Sequence, residues 1–222
     1  RFGHIRWGLP SVEEHAAYML GQAGAAEAPI DAVAEEARVL AAWGEAYAQA
    51  VGLESSFLSA QPHLKNQMPK ANDPKAGHAW PSDRTWEYAT RAFASCIVHG
   101  LVGEDRDDYV AAFIGQAAWS GFAAFIEQVD LPDPAKLLDG TVKYKHNPER
   151  LDRSHAVINA CTALVTPANA PRRAERSAAL WTLLDQIGDQ HLDLVVPAIQ
   201  ALIKSDLHVP VPGVKSDVIK VL

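Results

Sequence analysis

The sequence has few cysteines and no long apolar run. Its 222 residues include two cysteines, Cys96 and Cys161, which lie far apart and in no CxxC or metal-ligand spacing. We therefore predict two buried, reduced thiols, as in a cytosolic protein. No stretch is long and apolar enough to span a bilayer, and the first residues do not resemble a signal peptide. We expect a soluble, cytoplasmic protein without a membrane partner.

The common catalytic motifs are also missing. The sequence contains no GxxxxGK[ST] phosphate loop, no HExxH and no GxSxG, and the segment 213–216 has only a faint likeness to the first, with the wrong spacing. The nine histidines show no metal-ligand spacing, so we interpret them as core or surface residues. The acidic run at 105–108 is typical of a solvated helix start. We therefore expect no metal site and no complete catalytic centre in this chain.

Composition points to a folded helical protein. The net charge of -7 argues against a general nucleic-acid partner, because binding to phosphates needs a basic surface. Hydrophobic residues make up 48% of the chain, enough for a real core. Apolar residues recur every three to four positions through most of the chain, which predicts an all-α fold. The first ten residues, with Phe2, Ile5 and Trp7, leave open one short strand.

Particular helices are predicted by caps and prolines. Ser11 and Glu14 form a predicted capping box, and an Ala-rich helix is expected from Pro29 to about Val51. Four prolines between 62 and 81 predict irregular structure from 52 to 82, with at most one short turn. Further helices are expected from Ser82 to Gly100, at 107–128 with a kink or break at Gly115 or Gly121, at 132–138, after Pro148, after Pro171, and at 192–204.

One segment is basic in this acidic chain. Residues 63–84 carry a net charge of +2 and two histidines. With Ser82 as the N-cap, Arg84 lies in the first helical turn, beside free backbone N–H groups. An arginine and a helix N-terminus together favour an anion, most commonly a phosphate. The alternative is a surface ion pair between Arg84 and Asp83 or Glu87, and the sequence leaves both open.

The segment Pro81-Ser82-x-Arg84-x-Trp86-Glu87 resembles the sensor 2 element of MoxR-type AAA+ ATPases. In addition, Arg1-Phe2, followed by Trp7 and Pro10, resembles the end of an AAA+ core. The resemblance covers residues 1 to about 100, and it implies that Arg84 and Ser82 belong to a nucleotide site. It also implies that Arg1 is an arginine finger that completes a neighbouring subunit's site.

The resemblance implies a domain plan and partners. Residues 1–10 would end a missing ATPase core, 11–139 would form a helical AAA+ lid-like bundle, and 140–222 would add a C-terminal helical extension. The expected cofactor is ATP with Mg, held by the longer protein and not tightly by this chain. The expected assembly is a homo-oligomeric ring that remodels a protein substrate. The opening on Arg1 instead of Met also suggests a piece of a longer polypeptide.

Two other interpretations stay open. The Walker A, Walker B and sensor 1 elements are not in this chain, and no family motif is recognisable after residue 105. The chain could therefore be a helical interaction scaffold that binds a partner through its Ala-rich helix. It could also be an unrelated helical enzyme whose basic loop binds a phosphorylated small molecule.

Overall fold

A computed structural model describes residues 3–4, 10–20, 30–74 and 76–207. Over these residues the protein is all-α and contains no strand, as the sequence predicts. The helices are α1 (Val12–Met19), α2 (Ala32–Ala60), α3 (Asp83–His99), α4 (Gly103–Ile114), α5 (Gln116–Val129), α6 (Pro134–Leu138), α7 (Leu151–Val165), α8 (Arg173–Gly188) and α9 (Leu192–Lys204), with a short 3₁₀ turn at Pro62–Leu64. Phe2, Ile5 and Trp7, on which the short strand was expected, lie outside the described residues.

Helix α2 is longer than the sequence pattern indicates. The prediction of irregular structure from residue 52 is wrong for its first part, because α2 continues to Ala60. Gly52 lies inside this helix for a packing reason. A Cβ atom at this position would lie 2.5 Å from Cβ of Ala160 and 2.7 Å from the carbonyl oxygen of Ala156, both on α7. The glycine therefore allows α2 and α7 to approach closely.

The next three helices lie where the sequence predicts helix, although α4 begins at Gly103, four residues before the predicted start at 107. Helix α3 ends at Gly100, which has the left-handed φ of 66° typical of a helix terminus. Gly115, with a φ of 82°, separates α4 from α5, and a Cβ there would lie 2.7 Å from the carbonyl oxygen of Ala79. Gly121 stays inside α5 and faces the ring of Phe57. The predicted break is thus at the first of the two glycines.

Two hydrophobic cores meet along α2 and α7. The first core is built mainly from α2, α3, α4 and α5, and the second mainly from α6, α7, α8 and α9. Ala48 of α2 belongs to the second core, while Ala156 of α7 belongs to the first. Residues on both sides of position 140 therefore pack together, and the division into 11–139 and 140–222 stays a prediction.

The two cysteines are buried and unpaired, as predicted. Burial raises the pKa of the Cys161 thiol to about 12, and burial also raises the pKa of Cys96. By contrast, helix α1 buries none of its residues, although its predicted capping box is present between Ser11 and Glu14. None of the described helices combines the length and the apolar character needed to cross a membrane.

Candidate anion site at the start of helix α3

The basic residues 63–84 lead into a capped helix start. Ser82 is the N-cap of α3, as predicted, and its backbone is extended. The Ser82 hydroxyl accepts a hydrogen bond from the Thr85 backbone N–H at 3.3 Å, and the Thr85 hydroxyl oxygen accepts one from the Ser82 N–H at 2.7 Å. This reciprocal pair is a capping box. The Ser82 side chain is therefore engaged in holding the helix start.

Tertiary contacts fix this helix start in place. The Thr85 hydroxyl lies 2.9 Å from the carbonyl oxygen of Trp80, to which it can donate. The indole N–H of Trp86 donates to the carbonyl oxygen of Leu64 at 3.0 Å, and the Trp86 ring packs on Phe57 of α2. Trp86 is 1% exposed, so it is a packing residue. The start of α3 is thus attached to the end of α2.

Arg84 lies at the surface in the first turn of α3. It is exposed, and within the described part of the chain it makes no hydrogen bond or ion pair. The two carboxylates next to it have other partners: Asp83 pairs with Lys65 at 3.4 Å, and Glu87 pairs with Arg91 at 2.7 Å. The alternative surface pairing of Arg84 is therefore not observed. The backbone N–H groups of the first helical turn point toward the same end of α3.

A cleft of about 330 Å³ lies beside this helix start. The cleft is lined by the aromatic residues Trp80, Tyr88 and Phe113 and by His4. Tyr88 follows Arg84 by one helical turn, so the two lie on the same face of α3. The backbone N–H of His4 donates to the carbonyl oxygen of Ala112 at 2.8 Å, which places His4 against α4. The cleft is therefore lined by Thr85 and Tyr88 of the first turns of α3, while Arg84 is not among its lining residues.

Glu54 on α2 also belongs to this region. Burial raises its pKa to about 7, against the opposing effect of Lys65 and with a smaller contribution from Asp83. Sequence reasoning missed this residue, because nothing in the local pattern of α2 distinguishes Glu54 from a solvated glutamate. Only the packing of the 61–65 turn and the start of α3 against α2 gives it this environment.

The described residues offer donors for an anion, but they form no cluster of three metal ligands. No group of three or more histidine, cysteine or acidic side chains in this part of the chain could hold a metal ion. The guanidinium of Arg84 and the helix N-terminus fit a phosphate group. Arg1, the expected arginine finger, lies outside the described residues.

Comparison with known proteins found no match to this chain among protein-family models, curated proteins or solved structures. The resemblance to MoxR-type AAA+ ATPases therefore rests on the residues of the sensor-like segment and on the opening of the chain. Its functional implications stay predictions.

Proposed function

We propose that this chain is the nucleotide-sensing lid and C-terminal region of a MoxR-like AAA+ ATPase. The observation that carries this proposal is Arg84, which is exposed, unpaired among the described residues and held at the first turn of a firmly anchored helix. A phosphate placed there would meet one guanidinium and the positive end of a helix. ATP would lie between this surface and a core that the chain itself does not include.

The anchoring of α3 supports a coupling role. The hydrogen bonds of Trp86 and Thr85 link the helix start to the 3₁₀ turn that follows α2 and to the preceding loop. A force on Arg84 would therefore move α3 as a whole, because these hydrogen bonds hold the backbone that carries Arg84. In this proposal, loss of the γ-phosphate releases Arg84 and lets the lid rotate relative to the core.

The wider assignment belongs to the same proposal. The ATPase core would carry the Mg²⁺ ligands, Arg1 would complete a neighbour's site, and a cytoplasmic homo-oligomeric ring would remodel a protein partner. Ser82 would contribute by fixing the backbone that presents Arg84, since its hydroxyl is engaged in the helix cap. This chain alone would bind ATP weakly or not at all and would not hydrolyse it.

The test compares Arg84→Ala with Arg91→Ala in the full-length polypeptide that carries this chain. Both residues are exposed on α3, but Arg91 is paired with Glu87 and lies two turns away from the helix start. We expect Arg84→Ala to lower kcat/KM for ATP about 10- to 100-fold, the equivalent of one charge-assisted hydrogen bond. Arg91→Ala should stay within about twofold of the wild type, because exposed ion pairs contribute little.

Two outcomes would contradict the proposal. One is a full-length protein that hydrolyses ATP equally well with and without the Arg84 side chain, with both variants folded by circular dichroism. The other is hydrolysis of ATP by the 222-residue chain alone at an ordinary enzyme rate.

The helical scaffold is the second candidate. It is favoured by the first half of α2, where Val33 is 78% exposed and Leu40 is 68% exposed. A surface of this kind binds a partner without nucleotide chemistry. A full-length protein that neither binds nor hydrolyses ATP would favour this candidate.

A further inference from the structure

Two histidines that are distant in sequence meet beside the second core. His146 belongs to the loop between α6 and α7, and His191 is the N-cap residue of α9. The centres of their imidazole rings lie 5.2 Å apart, and the ring planes are inclined by 68°. We call these two residues the histidine pair. Neither of them belongs to the candidate anion site at the start of α3.

A buried hydroxyl orients the ring of His146. Its Nδ1 atom lies 2.9 Å from Oγ of Ser154, and the same Oγ lies 2.8 Å from the hydroxyl of Tyr144. Ser154 is fully buried in the first turn of α7. The other ring nitrogen of His146, Nε2, is buried and has no hydrogen-bond partner among the described residues. Buried polar atoms normally have a partner, and a bound ion is one way to satisfy such an exception.

The histidine pair has the spacing of two ligands on one metal ion. Zinc binds imidazole nitrogens at about 2.0–2.1 Å in tetrahedral geometry, which places the centres of two rings about 5 Å apart. The observed separation of 5.2 Å agrees with this value. A metal-bound histidine commonly donates its second ring N–H to an oxygen atom. Oγ of Ser154 lies where it can accept that hydrogen bond from Nδ1, which leaves the lone pair of Nε2 for a metal.

The chemistry of the histidine pair selects the class of metal. Neutral imidazole suits Zn²⁺, Cu²⁺ and Ni²⁺, whereas Mg²⁺ and Ca²⁺ prefer oxygen ligands. Burial and the neighbouring His191 lower the pKa of His146, which keeps its ring neutral at pH 7. No third histidine, cysteine or acidic side chain from the described ranges completes the set. Water or a small ligand would therefore take the remaining coordination positions.

We propose that His146 and His191 together bind one Zn²⁺ ion, through Nε2 of His146 and one ring nitrogen of His191. The ion joins the loop before α7 to the beginning of α9, and water fills its other positions. The expectation of no metal site rested on the spacing of histidines along the sequence, and two ligands so far apart leave no local pattern. The inference involves neither Arg84 nor ATP, so it is independent of the proposed function.

The test measures zinc binding to the metal-free 222-residue chain by isothermal titration calorimetry. We expect the wild type to bind one ion per chain. His146→Gln and His191→Gln should each raise the dissociation constant about 10-fold or more, since loss of even an outer-shell partner costs 10- to 100-fold. His63→Gln is the matched control, because His63 is exposed on the 3₁₀ turn, and it should stay within about twofold of the wild type. An excess of Mg²⁺ should not displace the zinc.

Nuclear magnetic resonance of the wild type gives a readout that needs no folded variant. Zinc should shift the ring C–H resonances of His146 and His191 more than those of the other seven of the nine histidines. Circular dichroism verifies that the glutamine variants are folded. The proposal is overturned by a wild type that binds no zinc up to about 1 mM, by zinc that leaves these two rings unshifted, or by folded glutamine variants that bind zinc as tightly as the wild type. ATP hydrolysis by the full-length protein is a separate readout and does not decide this result.

Discussion

At the scale of single residues, Glu54 links the candidate site to pH. Its carboxyl group is largely removed from water, and burial raises its pKa to about 7. In the unfolded chain the same group titrates near 4.5. Between these two values the folded protein retains a proton that the unfolded chain has lost. The free energy of unfolding therefore falls as the pH rises through this window, and it levels off above pH 7.

Glu54→Gln should remove this decline. We expect the variant to be more stable than the wild type by about 3 kcal/mol at pH 8 and to differ little at pH 4, since each pKa unit between 4.5 and about 7 corresponds to about 1.4 kcal/mol. Urea denaturation at a series of pH values measures the effect. Glu127→Gln, at an exposed position, is the control. An unchanged pH dependence in Glu54→Gln would show that the carboxyl group is solvated.

The residues of the site differ in how far the sequence could predict them. The cap at Ser82 and the position of Arg84 follow from a local pattern, because a capping box involves residues only three apart. Among the described residues Arg84 has no ion pair, and this does not follow from the local pattern, since Asp83 pairs with Lys65 and Glu87 pairs with Arg91. The buried carboxyl of Glu54 and the approach of His4 to α4 depend on contacts distant in sequence.

At the scale of elements, two glycines of α2 have opposite roles. Gly52 lies against α7, where an added Cβ would come within 3 Å of Ala160 and of the Ala156 carbonyl. A Cβ at Gly44 meets no atom within 4 Å. We expect Gly52→Ala to destabilise the fold by about 1–3 kcal/mol through overpacking. Gly44→Ala should instead stabilise it by roughly 0.5–1 kcal/mol, because alanine favours the helix.

Thermal and urea unfolding of both variants measure these changes, and each variant serves as the control for the other. If both substitutions shift the unfolding midpoint in the same direction, steric contact with α7 does not determine the effect of a side chain at position 52.

Most helices could be predicted from caps, prolines and apolar spacing, and the bounds of α9 agree with the prediction. The last nine residues of α2, after Val51, could not. Gly52 and the prolines beyond it indicate a break, because glycine disfavours a helix by its intrinsic propensity. Burial of Leu53 and Phe57 in the first core outweighs this cost. The sequence shows that Gly52 has a low helix propensity. It does not show the tertiary packing that compensates for this cost.

At the scale of the whole molecule, the two cores should unfold together. They share the long contact between α2 and α7, and Arg176 of α8 adds a buried link through ion pairs to Asp139 and to Glu45 of α2. Ile114→Val in the first core and Ile199→Val in the second each remove one buried methyl group. Each should cost about 0.5–1.5 kcal/mol and lower the same single unfolding transition.

Native-state hydrogen exchange measures this coupling. In Ile114→Val, the slowest amides of α9 should lose protection as much as those of α4, because both exchange through global unfolding. Loss of protection confined to one core would instead mean that the cores open as separate units, and it would support a boundary near residue 140.

The burial of both thiols has a practical consequence for spectroscopy. A maleimide dye reacts with accessible thiolates, and neither native cysteine is accessible or readily ionised. A cysteine introduced on the exposed side of α3, for example by Glu87→Cys, would therefore be labelled alone in the otherwise native sequence. The dye would lie one turn from Arg84 and report directly on any nucleotide or core domain that arrives there.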